Sequence, residues 1–375
     1  MRSPEVVIVG AGVSGLSVAF HLAERGIGPV RVYEAESVGA GASGVQPGGV
    51  RLQWGTELNC RMALDAREFW REAEARLEPP TPFGWRPGGY LWLAHSDAVL
   101  ERLAAGVALQ NRLGIGSRIV SAAEVAELVP GLGTVTVTGA AWCGDDGYFD
   151  RPQGVVEAFA EAAKRREVEI ERGEVAAVES GSVVLAGGER VEAGHIVVAA
   201  GVATPGLLVP LGVDVPIVPE DRFMLQSEPI RERLLEPLVV SAERKFAAKQ
   251  LGNGRVIASD LSARGDPAEG EPGWRAHVRE AIRELLPRLE YVSFPVLAAG
   301  IYDVTPDHQA ILGAVPGADG VWIAAGFSGH GFMMSPVVGS SLAAAIAGEP
   351  PNDYLHAFSL DRFARGELIP EPAVV

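Results

Sequence analysis

The chain has 375 residues, 47% hydrophobic and 21% charged, which suits a globular protein large enough for two domains. Its 48 acidic and 32 basic residues leave a net charge of −16, a surface that repels nucleic acid and anionic membranes. The two cysteines, Cys60 and Cys143, form no CxxC or Cys/His cluster, which argues against a metal or iron–sulfur site, and no apolar run reaches the roughly 18 residues of a membrane span. Sparse cysteine and a first strand close behind Met1, which leaves no place for a signal peptide, give the expectation of a cytoplasmic protein.

Val6 to Val9 is a short β-branched run that leads straight into Gly10-Ala11-Gly12-Val13-Ser14-Gly15. A helical pattern follows, then a second apolar strand ending on Glu34. This is the full context of a dinucleotide fingerprint. Gly10 permits the tight turn, Gly12 lets backbone approach a pyrophosphate, and Gly15 lets helix and strand pack closely. The helix start at Val13 and Ser14 offers N–H groups and a positive dipole end to phosphates. Glu34 stands about 20 residues further on, where a carboxylate can hold an adenosine ribose. A glycine turn without a ligand is the competing reading, and the terminal acid argues against it.

A polar, glycine-rich loop covers residues 39–55, and 57–77 reads as a helix. A Pro-rich crossing at 79–88 precedes a strand from Tyr90 to Ala94. Residues 97–114 and 121–129 read as helices, the second with Ser121 as N-cap and Glu124 three positions on. A helix from Gln153 to Arg166 follows Pro152, then short strands near 168–171, 174–179 and 182–185. The apolar strand from His195 ends in Ala200-Gly201. A strand at 215–226 and a hairpin at 243–260, turning at Gly252-Asn253-Gly254, read as antiparallel sheet. Trp274 to Leu289 reads as a helix, and the chain returns to strands, a glycine turn and an apolar helix from about Met334 to Ala347. The expected fold is α/β: a discontinuous Rossmann-like domain (1–80, 145–214, 296–375) with an inserted antiparallel-sheet α+β substrate domain (81–144, 215–295).

Four motifs in this order resemble the FAD-dependent D-amino-acid oxidase family, in particular its glycine oxidase and sarcosine oxidase branch. They are the fingerprint with Glu34, the loop from Gly39 to Gly44 with Gly48-Gly49-Val50-Arg51, the strand Ile196 to Gly201, and Thr305-Pro306-Asp307-His308 with Ala324 to Phe332. The resemblance implies FAD contacts at Gly10, Gly12, Val13, Ser14, Gly15, Glu34, Ala35, Ala42, Ser43 and Gly44. It adds Gly49, Val50, Val175, Ala200, Gly201 and Gly300 along the chain. Near the C-terminus it adds Gly326, Ser328, Gly329, His330, Gly331, Phe332 and Met333. The apolar helix after Gly331 would aim its N-terminus at the flavin pyrimidine edge. Relatives that bond flavin to a cysteine carry it where Gly300 stands, and no histidine lies in the early glycine loop, so FAD is expected without a covalent bond.

The resemblance places Arg51 on the substrate carboxylate, where a guanidinium gives a bidentate clamp. A surface or phosphate-bound arginine is the alternative. Tyr302 matches a pocket aromatic, against plain core packing; Trp54 is expected at the entrance. Met333 replaces a carboxylate-binding lysine of sarcosine oxidases, and His330 either tunes the site or orients backbone. Oxidases of this group set a lysine above the flavin for oxygen. Only Lys245 and Lys249 lie in range, Lys249 is the candidate, and surface exposure is the expected fate of both.

The activity implied is oxidation of the C–N bond of a small amino acid or secondary amine, such as glycine, sarcosine or a proline-like compound. Hydride passes to flavin N5 and the imine hydrolyses in water. Electrons then pass to oxygen or another acceptor. Two other readings stand beside it: a 2-hydroxy-acid dehydrogenase on the same fold, and a flavoprotein subunit of a hetero-oligomeric amine dehydrogenase with a partner chain.

Overall fold

The run Val6–Val9 is buried at the centre of a six-stranded sheet in the computed structural model, which describes residues 5–372. The strands lie in the order Ile311–Ala314, Val321–Ala325, His195–Val198, Val6–Val9, Val30–Glu34, Glu169–Arg172. All neighbours are parallel except the edge strand Ile311–Ala314. Both faces are covered, which is why the central strands are continuous apolar runs. Helices Val13–Glu24, Pro152–Lys164 and Gly331–Ile346 share one core on one face, and the Ser17 hydroxyl donates to the Ser335 carbonyl at 2.7 Å where the first and last of them meet.

A second, mainly antiparallel sheet has eight strands: Val296–Val304, Val218–Gln226, Val256–Asp260, Phe246–Gln250, Leu238–Ser241, Tyr90–Ala94, Gly139–Cys143 and Arg118–Val120. Strand alternation divides its two faces. Leu91, Leu93, Val239, Phe246 and Ala248 pack under helix Pro267–Leu285. Tyr90, Trp92, Leu238 and Val240 form a separate cluster on the opposite face, with Tyr148. Two three-stranded sheets complete the fold, one of them joining Gly49–Val50, Gly147–Phe149 and Trp85–Pro87. Among the described residues, no helix is long and apolar enough to cross a membrane.

Several boundaries differ from the sequence reading, and the following bear on the site. The helix expected from Trp274 to Leu289 begins at Pro267 and ends at Leu285, with a 3₁₀ turn at Pro287–Leu289. Asp266 caps it by accepting from the Ala268 amide at 2.9 Å, and Pro272 is carried inside it at the loss of one backbone bond. The last helix starts at Gly331, because the glycine turn winds into it without a break. The expected domain cut at residue 296 falls before a strand, Val296–Val304, that pairs along its whole length with Val218–Gln226 in the eight-stranded sheet.

Candidate active site

The first glycine turn is held by backbone packing. Gly10 has φ +105°, and a Cβ there would lie 2.5 Å from the Ala199 carbonyl oxygen, so only glycine fits. Gly12 is the N-cap of helix Val13–Glu24 and supplies no side-chain cap. The Val13 amide donates to Ser43 Oγ at 3.0 Å, which ties the short helix Ala42–Val45, with Ala42 and Gly44, to the fingerprint. Ser14 and Gly15 are buried in the first turn. Glu34 accepts from the Ala11 amide at 2.8 Å and the Glu36 amide at 3.0 Å, which fixes its carboxylate beside the turn, with Ala35 next along. Ala200 and Gly201 leave the strand His195–Val198 just below Gly10, and Val175 opens a strand of a small sheet.

The second glycine turn hangs on a polar network. Asp303 accepts from the Gly326 amide at 2.7 Å, and its carbonyl accepts from the Ser328 amide at 3.1 Å. The Thr305 amide donates to Ser328 Oγ at 3.2 Å, so Ser328, at φ +49°, spends its hydroxyl inside the turn. Burial pushes the Asp303 carboxyl up, against the bonds from these amides. Beneath lies a buried ion pair, Arg362 to Asp307 at 2.8 and 2.9 Å. Gly329 has φ +92°, and a Cβ on it would overlap the Tyr302 ring. Gly300 lies two residues before Tyr302 against Val45, a Cβ there reaching within 2.6 Å of its side chain. His330 is the N-cap of helix Gly331–Ile346. Phe332 stacks on Trp70 at 5.5 Å between centroids, and the Met333 carbonyl accepts from Trp70 Nε1 at 2.9 Å.

Beside the second turn lies a buried cluster built on Arg51. This arginine is 2% exposed. Its guanidinium sits 3.8 Å over the Trp54 ring and 5.2 Å from that of Trp92. Nη1 donates to the Gln53 carbonyl at 2.8 Å, and Nη2 lies 3.5 Å from His330 Nε2. Burial lowers its pKa, an effect that the Glu371, Tyr90 and Asp146 charges oppose. Asp146 accepts from the Leu52 amide at 2.6 Å and Gln53 Nε2 at 2.8 Å, which fixes the shape of the loop that carries Arg51; burial pushes its carboxyl up to about 7. Burial, then the nearby Arg51, hold the His330 imidazole well below its ordinary range, so it is neutral. The Tyr302 phenol is pushed up by burial, and Arg222 lies 4.8 Å over its ring. The Tyr90 hydroxyl presses on Gly49, which leaves no room for a Cβ, while Val50 is buried beside it.

Arg51 and His330 therefore lie together, with Tyr302 against the neighbouring Gly329. Trp54 is not at an entrance: it is buried beneath Arg51, with its Nε1 donating to the Arg51 carbonyl at 3.1 Å. Lys245 is exposed, but Lys249 is 2% exposed, against expectation. Its Nζ donates to the Pro47 carbonyl and lies 4.3 Å over the Tyr148 ring; burial lowers its pKa to about 7. Alternation explains this, because Lys249 falls on the sheet face of Ala247 and its partner Ile257, which packs with Tyr148. Cys60 and Cys143 are fully buried thiols, pushed up by burial to about 11 and 12. The sequence reading missed Tyr90, Trp92, Asp146 and Glu371. The alternation of Tyr90 and Trp92 with Leu91 and Leu93 is the one trace they leave in the sequence.

The residues present fit FAD. Both helices that start at the glycine turns lack a side-chain cap and an acid in the first turn, which leaves two positive dipole ends for anionic groups. Gln46 Nε2, at the end of the short helix Ala42–Val45, is buried with no hydrogen-bond partner among the described residues. A glycine turn between a parallel strand and an uncapped helix is the phosphate-binding arrangement of dinucleotide-binding folds. The sequence profile of the FAD dependent oxidoreductase family matches residues 5–345, and the chain belongs to that family. It is 28% identical to FAD-dependent oxidoreductase domain-containing protein 1 of Bos taurus, over 99% of this chain and 87% of that one. It is 26% identical to glycine oxidase of Bacillus licheniformis, over 96% and 97% of the two chains. L-proline dehydrogenase from P. horikoshii has the same fold, with a TM-score of 0.91 and 27% identity over 98% of this chain and 100% of that one.

Proposed function

We propose that this FAD-dependent oxidoreductase oxidises the C–N bond of a small amino acid or secondary amine, of the size of glycine, sarcosine or proline. The observation that carries the reading is the buried Arg51, fixed over Trp54 and beside His330 of the second glycine turn. Similarity to a glycine oxidase and to an L-proline dehydrogenase supports it.

In this reading Gly10 to Gly15, Ser43 and Glu34 hold the adenosine and diphosphate end of FAD. Gly326 to Met333, with Gly49, Val50 and Gly300, hold the other end. Bound flavin supplies the hydride acceptor. Arg51 binds the substrate carboxylate, and Tyr302 packs on Gly329 to shape the chamber wall. Neutral His330 lies against Arg51 and adds no competing charge. The aromatic walls exclude water and hold the α C–H bond in line for transfer. No side chain is needed as a strong base when the amine binds neutral. Residues 81–144 and 215–295, with the strand Val296–Val304, form the substrate side, and the remainder forms the cofactor side.

The test is an anaerobic substrate panel read by bleaching of the oxidised flavin band, which assumes no electron acceptor. Bleaching by glycine, sarcosine or proline supports the reading. Bleaching by 2-hydroxy acids alone overturns it in favour of hydroxy-acid oxidation. No bleaching until a partner chain is added assigns the protein as a subunit. Repeating the reactive case with oxygen or a quinone then identifies the acceptor.

A further inference from the structure

Residues 369–372 lie beyond the stretch 5–345 that matches the family, yet they run back to the loop that carries Arg51. On one side they are bound to residues 307–309. The Ile369 amide donates to Asp307 Oδ2 at 3.2 Å, its carbonyl accepts from Gln309 Nε2 at 2.9 Å, and the Glu371 amide donates to the Asp307 carbonyl at 3.3 Å. Asp307 accepts from Thr305, whose amide donates to Ser328, so this segment supports the second glycine turn. The buried Glu371 side chain reaches the other way. Its Oε1 accepts from the Gly55 amide at 2.8 Å, and its Oε2 from Thr56 Oγ1 at 3.1 Å and Asn59 Nδ2 at 2.7 Å. Thr56 is the N-cap of helix Glu57–Leu77, so the carboxylate also faces a positive dipole end. Gly55 leaves room for the strap: a Cβ there would lie 2.3 Å from Pro372 Cγ and 2.7 Å from Glu371 Oε1.

We propose that Glu371 is a positioning residue of the reaction, which straps the end of the Arg51 loop to the segment under the second glycine turn; this rests on the substrate reading above. Asp146 fixes the start of the loop at Leu52 and Gln53, and Glu371 fixes its end at Gly55 and Thr56. Between them the loop closes on itself, with Arg51 Nη1 donating to the Gln53 carbonyl and Trp54 Nε1 to the Arg51 carbonyl. Held at both ends, the loop keeps the guanidinium in one place, and a shift of about 1 Å in a binding group can cost about a hundredfold. The Glu371 charge also acts on Arg51, where it is the first of those that offset burial. The two effects on a bound anion have opposite signs. As an anchor the carboxylate strengthens binding, and as a like charge it weakens it. The sign of the response to its removal therefore tells anchor from mere charge.

The test uses the FAD-loaded protein with Glu371→Gln and Gly55→Ala. Glu371→Gln removes the charge and turns one acceptor into a donor that faces donors. Gly55→Ala keeps the charge and pushes the strap aside, and Gly55 is outside the left-handed region, so the backbone accepts alanine. Cyclopentanecarboxylate is titrated against the flavin spectrum, with cyclopentanecarboxamide as the neutral control. Both variants are expected to weaken the carboxylate about tenfold while moving the amide by less than about threefold. For the amino acid that bleaches the flavin, KM rises by a similar factor and the anaerobic limiting rate moves by less than about threefold. Adding Pro372→Gly to Gly55→Ala clears the closest clash and is expected to recover part of the affinity. Carboxylate affinity that is unchanged or tighter in Glu371→Gln overturns the assignment. So does equal weakening of carboxylate and amide, the mark of general loosening. If Glu371→Gln does not fold, Gly55→Ala decides by the same two criteria. Failure of the substrate reading looks different, because wild type itself then binds no carboxylate and no amino acid bleaches it, and the assignment falls with it.

Discussion

Arg362 lies far along the chain from either glycine turn, yet Arg362→Met is expected to be among the most damaging single changes. Its side chain is 1% exposed and that of its partner Asp307 is 0%. The guanidinium makes two bonds to the carboxylate, at 2.8 and 2.9 Å, and donates to the Phe358 and Gln309 carbonyls at 2.9 and 3.0 Å. Without it, Asp307 keeps the longer bonds from Ile369 N, Gln309 N and Thr305 Oγ1, at 3.2, 3.3 and 3.3 Å. A buried carboxylate left this way costs about 3–5 kcal/mol. Burial pushes the Asp307 carboxyl up, but in the intact protein the Arg362 bonds hold it below the usual carboxylate range. Its stability contribution is therefore present above the unfolded pKa and lost as pH falls through the folded one. In Arg362→Met burial is opposed only by the three longer hydrogen bonds, the carboxyl pKa rises, and protonation relieves the penalty in acid. Urea unfolding followed by tryptophan fluorescence should show the full loss at pH 7.5 and a smaller one at pH 5. Asp307 also accepts from Thr305, whose amide donates to Ser328, so the same variant should release FAD at lower urea. A loss under about 1 kcal/mol at pH 7.5, or an equal loss at both pH values, would refute the reasoning.

Lys249 offers a second pH test, in a higher window. Burial lowers its pKa from 10.5 to about 7, so the unfolded chain binds an extra proton between those values and wild-type stability rises with pH there, by at most about 1.4 kcal/mol per unit. Lys249→Met should lack that rise in urea melts at pH 7, 8 and 9, and parallel curves for the two proteins would contradict it. Acid precipitation should leave the flavin in the supernatant, since Gly300 stands where relatives carry the bonding cysteine; yellow colour in the washed pellet would show a covalent bond.

Local chemistry made much of the fold legible. Helix Glu57–Leu77 and strand Tyr90–Ala94 lie where the periodicity puts them, and the Ser121–Glu124 capping box closes with both bonds in place. The fingerprint carries its own context of strand, turn, helix and acid, so its geometry follows from 29 contiguous residues, 6–34. Helix Pro267–Leu285 starts before the expected Trp274 because Asp266 caps it and the core under Val278, Ile282 and Leu285 holds it across Pro272. The chamber was legible only in part. Arg51, Tyr302 and His330 sit in recognisable motifs, but Lys249, Trp92 and Asp146 reach the site through strand register and loop closure. Those are long-range facts that no local window encodes.

The same distinction explains why an acidic protein can hold a cation at its centre. A net charge of −16 belongs to an exposed surface, where salt screens it beyond about 8 Å. Arg51 is 2% exposed, and the burial it shares with Asp146 pushes that carboxyl up to about 7. There the geometry of the nearest few groups outweighs the distant sum. One face of the planar guanidinium lies on Trp54, Nη1 is fixed by the Gln53 carbonyl, and Nη2 faces His330. A lysine has no plane to lock in this manner, so its charge alone could not reproduce the arrangement. The loop 51–53 is in turn pinned by Asp146, and the Tyr302 wall fits because Gly329 has no side chain. The orientation of the central cation is thus set by glycine and aromatic packing, and the global charge of the chain has little bearing on what the chamber can bind.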